Sequence, residues 1–192
     1  MTNFFAVLRA PMRPWLDPEP LKETYLRLSE TLHRQPDSQD QLVTLNRAFQ
    51  VLGNPAMRLE HLLSLTGDGP STRARQITPE VSEFFGRIAK GLEETDRSLG
   101  EVSAQSSALL RALQTRQIQT IQADLDELAR DLASYQDQRL DELKRLDRSW
   151  DPDASDPNTR HALSQLSADL AFLQKWQAQV RERLLRLDEA IN

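Results

Sequence analysis

Side chains able to do chemistry are sparse in this 192-residue chain, and the densest group of them falls in residues 32–39, "LHRQPDSQ". His33 stands ahead of a Pro36-Asp37 pair with Arg34 and Gln35 between them, and Ser38 follows. An imidazole, a carboxylate and a hydroxyl so close together can form an exposed contact group. The same residues can also serve the backbone: Asp37 or Ser38 as a helix N-cap, Pro36 just ahead of a helix, and His33 at a helix C-terminus, where its cationic form is favoured. The remaining histidines, His61 and His161, have no partner at metal-ligand spacing that lacks a plainer explanation. Cysteine is absent, which excludes zinc fingers, iron-sulfur ligation by this chain, thiol catalysis and a disulfide framework. No Ser-His-Asp arrangement, glycine-rich phosphate loop or paired buried carboxylate can be assembled. No catalytic residue, metal site or cofactor is expected, and the chain does not read as an enzyme.

The elements that must position these residues read as helices. Six glycines, many Leu, Gln, Glu and Arg residues, and almost no β-branched runs point to an all-α chain. Its length is enough to bury a core without a disulfide or a metal. The net charge is −5, with both signs interspersed rather than blocked, so nucleic acid is not an expected partner. No segment approaches the roughly 20 apolar residues that span a bilayer, and "MTNFFAVLRAPMRPW" has no charged start followed by a long apolar run. The expectation is a soluble, cytoplasmic protein without membrane contact.

Along the chain, "NFFAVL" predicts one or two turns of helix. Asp17 can cap a second helix with Pro18 at its first position; Leu21, Tyr25, Leu28 and Leu32 then recur at steps of four, three and four as one apolar face, ending near His33. "SQDQ" from Ser38 has the S-x-x-Q form of a capping box, ahead of the stripe Leu42, Leu45, Phe49 and Leu52 and a stop at Gly53. Asn54 can cap a further helix with Pro55 in its first turn, running through Met57, Leu59, Leu62, Leu63 and Leu65. Arg58 in this helix could pair with Glu60, Glu30 or another surface acid.

"TGDGPSTRARQ" then breaks every period, which places a domain boundary around Gly67 to Ile77. Beyond it, Val81, Phe85, Ile88, Leu92, Thr95, Leu99, Val102, Ser106, Leu109 and Leu113 alternate by four and three as a heptad seam, weakened by Gly86, Gly91 and Gly100. Gly100 is expected to mark a kink or a chain reversal within residues 100–122. A second seam, Ile118, Ile121, Leu125, Leu128, Leu132 and Tyr135, shifts by one residue to Leu140, Leu143 and Leu146. "WDPDASDPN" ends it. A last seam runs Leu163, Leu166, Leu170, Leu173, Gln177, Val180, Leu184, Leu187 and Ile191, polar only at Gln177. Three such helices predict an antiparallel bundle, with one extended coiled coil as the competing architecture; the prolines at 152 and 157 favour the fold-back.

Residues 3–67 resemble the J-domain of the HscB family, the co-chaperones of iron-sulfur cluster assembly. The likeness lies in Phe4 and Phe5, in Pro11 and the Leu16-Asp17 spacing, in Leu21, Tyr25 and Leu28, and in "NPAMRLEHLLSL". More loosely, "EFFGRIAKGL" and "DLAFLQKWQAQVRERLL" are similar to helices of that family's second domain. The resemblance implies a J-domain-like helical hairpin in residues 1–67, a linker at 68–77 and a three-helix bundle over 78–192.

It further implies docking on a DnaK- or HscA-type ATPase chaperone and delivery of an iron-sulfur scaffold or other client protein. The chaperone-contacting residues carried over are His33, Pro36 and Asp37, with Lys22, Arg27 and Arg34 on the preceding helix. In J-domains the His-Pro-Asp tripeptide is contiguous; here it is interrupted by Arg34 and Gln35. The three cations are matched by Glu19, Glu23 and Glu30, which predicts weak electrostatic steering. The client face carried over is Phe84, Phe85 and Ile88, with Phe172 reaching in from the last helix. Two adjacent phenylalanines cannot both enter one seam, so one of Phe84 and Phe85 belongs to a satellite core or an exposed patch. The alternative is a J-like interaction module without chaperone stimulation. Self-association of the bundle is left open.

Overall fold

The helices start where the punctuation residues place them. In the computed structural model, which describes residues 2–66, 78–100, 108–152 and 156–191, seven helices occur among the described residues: α1 (Phe4–Val7), α2 (Pro18–His33), α3 (Gln39–Gly53), α4 (Pro55–Leu65), α5 (Pro79–Gly100), α6 (Ala108–Arg148) and α7 (Pro157–Ile191). No strand occurs among those residues, and the fold is all-α. The Asp17 carboxylate accepts from the Glu19 N–H at 3.1 Å, and the Asn54 side chain accepts from the Met57 N–H at 3.1 Å. Pro18 and Pro55 sit in the first turns, where a missing N–H costs nothing. The S-x-x-Q capping box at Ser38 does not form, because the Ser38 side chain makes no cap hydrogen bond to α3. The linker expected at 68–77 lies outside the described residues, as do Val102 and Ser106 of the predicted seam.

The chain packs as two compact units, one built from residues 1–76 with 139–171 and the other from 77–138 with 172–192. The units therefore do not follow chain order, since 139–171 joins the N-terminal helices. In the first unit α2 and α3 form an antiparallel hairpin. Tyr25 stacks on Phe49 with ring centroids 4.2 Å apart, and its hydroxyl donates to Asn46 Oδ1 at 2.9 Å. Phe5, Leu8, Leu45, Leu52, Leu59 and Leu62 make a core with Leu143, Leu163, Leu166 and Leu170. Each such side chain contributes roughly 1.5–3 kcal/mol on burial, less what its ordering costs.

Asp147, Arg58 and His61 are among the polar side chains buried in this unit. Asp147 Oδ1 accepts from Arg13 Nε at 3.3 Å and from the Trp15 N–H at 3.0 Å, and its Oδ2 pairs with Arg13 Nη2 at 2.9 Å. Trp150 Nε1 donates to the Met12 carbonyl at 3.0 Å, so the 11–16 segment is clipped along its length to the end of α6. Arg58 does not pair with a surface acid as its place on α4 suggested. It is buried, donates to the carbonyls of Pro14 at 2.8 Å and Leu52 at 2.7 Å, and its guanidinium lies 6.0 Å from the Trp15 ring centroid. Burial lowers its pKa to about 10, partly opposed by the nearby Asp147 carboxylate, so it stays cationic at neutral pH. His61 is buried between the rings of Phe4 and Phe5, and its Nε2 accepts the Phe4 N–H at 3.1 Å.

The second unit is an antiparallel three-helix bundle. Phe84 of α5 meets Tyr135 of α6, Arg87 pairs with Asp131 at 2.6 Å, and Gly91 faces Leu125, so residue numbers rise on α5 as they fall on α6. The chain therefore reverses between the two helices rather than kinking. Gln177 bonds Gln136 at 2.7 Å and Gln122 bonds Asp188 at 2.5 Å, which sets α7 antiparallel to α6. The predicted seams hold at Val81, Ile88, Ile118, Ile121, Leu125, Leu128, Leu132, Leu173, Val180 and Leu187, all buried.

Two predicted seam stretches depart. Phe84 takes the core position beside Tyr135 in place of Phe85, because both flank the Val81–Ile88 stripe and only the Phe84 side meets a ring on α6. Leu109 and Leu113 are exposed, since the five-residue step from Leu113 to Ile118 carries them off the buried stripe of α6.

Two predictions follow from this packing. A Cβ at Gly86 meets nothing within 4 Å, whereas one at Gly91 comes 2.9 Å from Leu125 Cδ2 in the core. Gly86→Ala is expected to raise stability by about 1 kcal/mol through helix propensity. Gly91→Ala should show no such gain, overpacking offsetting it; equal urea midpoint increases for the two would contradict the close approach. The second concerns His61, whose pKa is lowered by burial from its ordinary 6.5. The unfolded chain then binds the proton more readily, so this contribution is complete above pH 6.5 and is lost as pH falls toward the lower folded value. Urea midpoints measured from pH 7.5 to 5 should decline, with a shallower decline in His61→Gln.

Candidate functional site

Two surfaces carry the residues singled out by sequence, one on each unit. The first is the 34–38 loop that joins α2 to α3. Its shape follows from hydroxyl chemistry: Ser38 Oγ donates to the Leu32 carbonyl at 2.6 Å and the Gln35 carbonyl at 3.0 Å, and the Gln35 N–H also donates to the Leu32 carbonyl at 3.0 Å. These bonds fold the loop back on the end of α2 while leaving His33, Pro36 and Asp37 exposed. Asp37 has a φ of 59°, a left-handed conformation in which Asp is among the better tolerated non-glycine residues. His33 Nδ1 lies 2.7 Å from the Ser29 carbonyl, so the ring closes the last turn of its own helix.

The flanking cations are only partly gathered. Arg27 and Arg34, seven residues apart, fall on one side of α2, whereas Lys22 lies about 140° around the helix from Arg27. All three are exposed, and Arg34 forms an i,i+4 ion pair with Glu30 that reduces the charge it presents. An exposed pair of this kind is worth well under about 1 kcal/mol. The loop can therefore act as a contact surface with a defined backbone, and no proton-transfer constellation stands around it.

The second surface lies on α5 and α7. Phe85 is 64 % exposed and Phe172 is 39 % exposed, and both rings flank the buried Trp176, at centroid distances of 6.5 and 5.7 Å. Phe84 is half-buried against Tyr135 with the Arg87 guanidinium 5.8 Å from its ring centroid. Ile88 is 3 % exposed and belongs to the core beneath. Of the four residues expected here, the structure sets Phe85 and Phe172 at the surface against the same tryptophan, leaves Phe84 half-buried beside Tyr135 and puts Ile88 in the core of the unit. Trp176 was missed by sequence reasoning. Its signal was available: it precedes Gln177, the one polar lapse in the last seam, and stands four residues after Phe172, on the same face of the helix.

Among the described residues no group of three or more His, Asp or Glu side chains is placed to hold a metal ion, and no helix is long and apolar enough to cross a membrane. No protein-family model matches the chain, and no curated protein sequence matches it. A solved structure does: the chaperone HscB from Vibrio cholerae aligns over 94 % of this chain and 96 % of its own, with a TM-score of 0.58 at 19 % sequence identity. The fold is HscB-like. At this identity the likeness carries the architecture, a helical hairpin followed by a three-helix bundle, over nearly the whole of both chains. Within that HscB-like architecture, the 34–38 loop is the hairpin's connection and the aromatic patch belongs to the bundle.

The loop geometry makes its own prediction. Ser38→Ala removes a buried hydroxyl that holds two turns of backbone together, and should lower stability by about 1 kcal/mol. Hydrogen exchange at the Gln35 amide should accelerate more than at the Asn46 amide in mid-α3. Uniform acceleration at both would mean that the hydroxyl does not specifically hold the loop.

Proposed function

We propose that this protein is a co-chaperone of the HscB type. Its α2–α3 hairpin docks on a DnaK- or HscA-type ATPase chaperone through His33, Pro36 and Asp37, with Arg27, Arg34 and, more peripherally, Lys22 beside them. Its bundle holds a client, an iron-sulfur scaffold or another protein, against Phe85 and Phe172, which flank Trp176, with Phe84 and Ile88 nearby on α5. The chain acts as an adaptor and carries out no bond chemistry itself. The observation that carries this reading is the end-to-end likeness to a chaperone HscB structure, in which both halves of the chain participate. Supporting it, His33 at the end of α2 and Pro36 and Asp37 on the loop that follows are all exposed, and two exposed phenylalanines share one buried tryptophan, the kind of aromatic patch that anchors protein interfaces.

A second reading, a J-like interaction module that no longer stimulates a chaperone, is favoured by one feature of the loop. Arg34 and Gln35 separate His33 from Pro36, and the His33 ring is turned to its own helix.

Steady-state ATPase assays on a DnaK- or HscA-type chaperone separate the two. On the first reading the protein raises the rate several-fold, His33→Ala and Asp37→Asn each abolish the rise, and Phe85→Ser with Phe172→Ser lowers client retention in a pull-down without altering the loop. No rise with wild type, followed by a rise after deletion of Arg34 and Gln35, would select the second reading.

A further inference from the structure

A helix of four residues does not hold itself. Isolated helices need about 12–15 residues to be even marginally stable in water, so α1 stands through what it touches. Part of that support is apolar: Phe5 and Leu8 are 1 % and 0 % exposed in the core of the first unit, and the His61 ring of α4 meets both Phe4 and Phe5, at centroid distances of 4.7 and 5.8 Å. The rest is polar. The Phe4 N–H, the first amide of α1, has no acceptor within its own helix and donates to His61 Nε2 at 3.1 Å, while the Ala6 N–H donates to Asn3 Oδ1 at 3.2 Å.

Only a neutral imidazole can accept at Nε2. A second proton makes both ring nitrogens donors, so that Nε2–H would face the Phe4 N–H. The ring is 4 % exposed, and an ion that has lost its water there is costly; attraction of the cation to the phenylalanine faces is the smaller effect. The charged groups on the surrounding elements are engaged elsewhere or exposed. On α4, Arg58 is bonded to the Pro14 and Leu52 carbonyls and Glu60 is exposed; after α1, Arg9 is exposed; on α3, Asp40 and Arg47 are exposed. On α6, Asp147 holds Arg13 and the Trp15 N–H; on α7, Asp169 accepts from Gln165, Arg160 donates to the Thr66 carbonyl, and His161 is exposed. Burial is accordingly what lowers the pKa of His61.

We propose that His61 is a proton-operated latch on α1: neutral, it seats the helix on the first unit, and protonated, it shifts residues 3–10 toward an open form that exposes Phe5 and Leu8 while the α2–α3 hairpin stays folded. The device is independent of any chaperone partner. In the open form the ring returns to water and to its ordinary pKa of 6.5. The opening constant is therefore flat above pH 6.5 and rises as pH falls below it, by at most about tenfold per unit, until the lower value of the closed form is reached.

Amide hydrogen exchange of the full chain at pH 7 and pH 5.5, corrected for the intrinsic rates, tests this. The Leu8 and Ala10 amides, which donate to the Phe4 and Phe5 carbonyls, should lose protection several-fold at the lower pH. Their exchange at pH 5.5 should be insensitive to low urea, the mark of local opening, while the Leu52 and Leu62 amides stay better protected and respond to urea. His61→Gln, whose carbonyl can accept without titrating, should keep the protection at both pH values. His61→Phe, which keeps the ring contacts and cannot accept, should show weak protection at both. Protection at Leu8 and Ala10 that does not change with pH, urea dependence there matching that of Leu52, or a pH-dependent loss that persists in His61→Gln would overturn the proposal.

Discussion

The Asp147 carboxylate is the interaction on which the N-terminal unit depends, because it ties together pieces of chain that have no local reason to meet. The 11–16 segment contains two prolines and cannot form regular backbone pairing, so something outside it must satisfy its amides and fix its path. Asp147 does so by accepting from the Trp15 N–H and from Arg13, while Trp150 reaches the Met12 carbonyl. The path so fixed delivers Leu16 to the core and Asp17 to its capping position, and so sets where α2 begins. Arg58 completes the arrangement from α4 by holding the Pro14 and Leu52 carbonyls under the Trp15 ring. Hydrogen bonds to charged groups are the stronger kind, roughly 1.5–3 kcal/mol each, and a buried ion left alone would cost more than that.

The same constraint explains why the packing units ignore chain order. Residues 139–171 belong with the N-terminal helices because Leu143, Asp147 and Trp150 on one side of the α6–α7 connection, and Leu163, Leu166 and Leu170 on the other, face that core. The remainder of α6 and α7 belongs with α5. The change of core within α6 coincides with the change of seam phase between Tyr135 and Leu140, and both follow from a helix burying one apolar stripe at a time.

Much of this architecture was legible in the residues themselves. Caps at Asp17 and Asn54, prolines in first turns and the stop at Gly53 are local chemistry, decided within four residues, and they bound α2, α3 and α4 where expected. Long seams were also legible, because a period sustained over many turns leaves one way to bury a stripe. Choices between near neighbours were not. Phe84 and Phe85 stand at similar angles to the stripe, and the ring of Tyr135, fifty residues on, chooses between them. Ser38 has the form of a capping residue, yet its hydroxyl finds the Leu32 and Gln35 carbonyls closer at hand.

What the sequence by itself determined is the helical class, the helix starts, the absence of cysteine chemistry and the presence of a His, Pro and Asp set at one short connection. What only the tertiary structure decided is which side chains meet across the fold: Asp147 with Arg13 and Trp15, Arg58 beneath Trp15, His61 on the Phe4 amide, and Trp176 between Phe85 and Phe172. The physical reason is one of range. Capping and periodicity act over one or two turns and are written in neighbouring letters, whereas a buried charge or an aromatic contact is satisfied by whatever the packed helices bring to it from far along the chain.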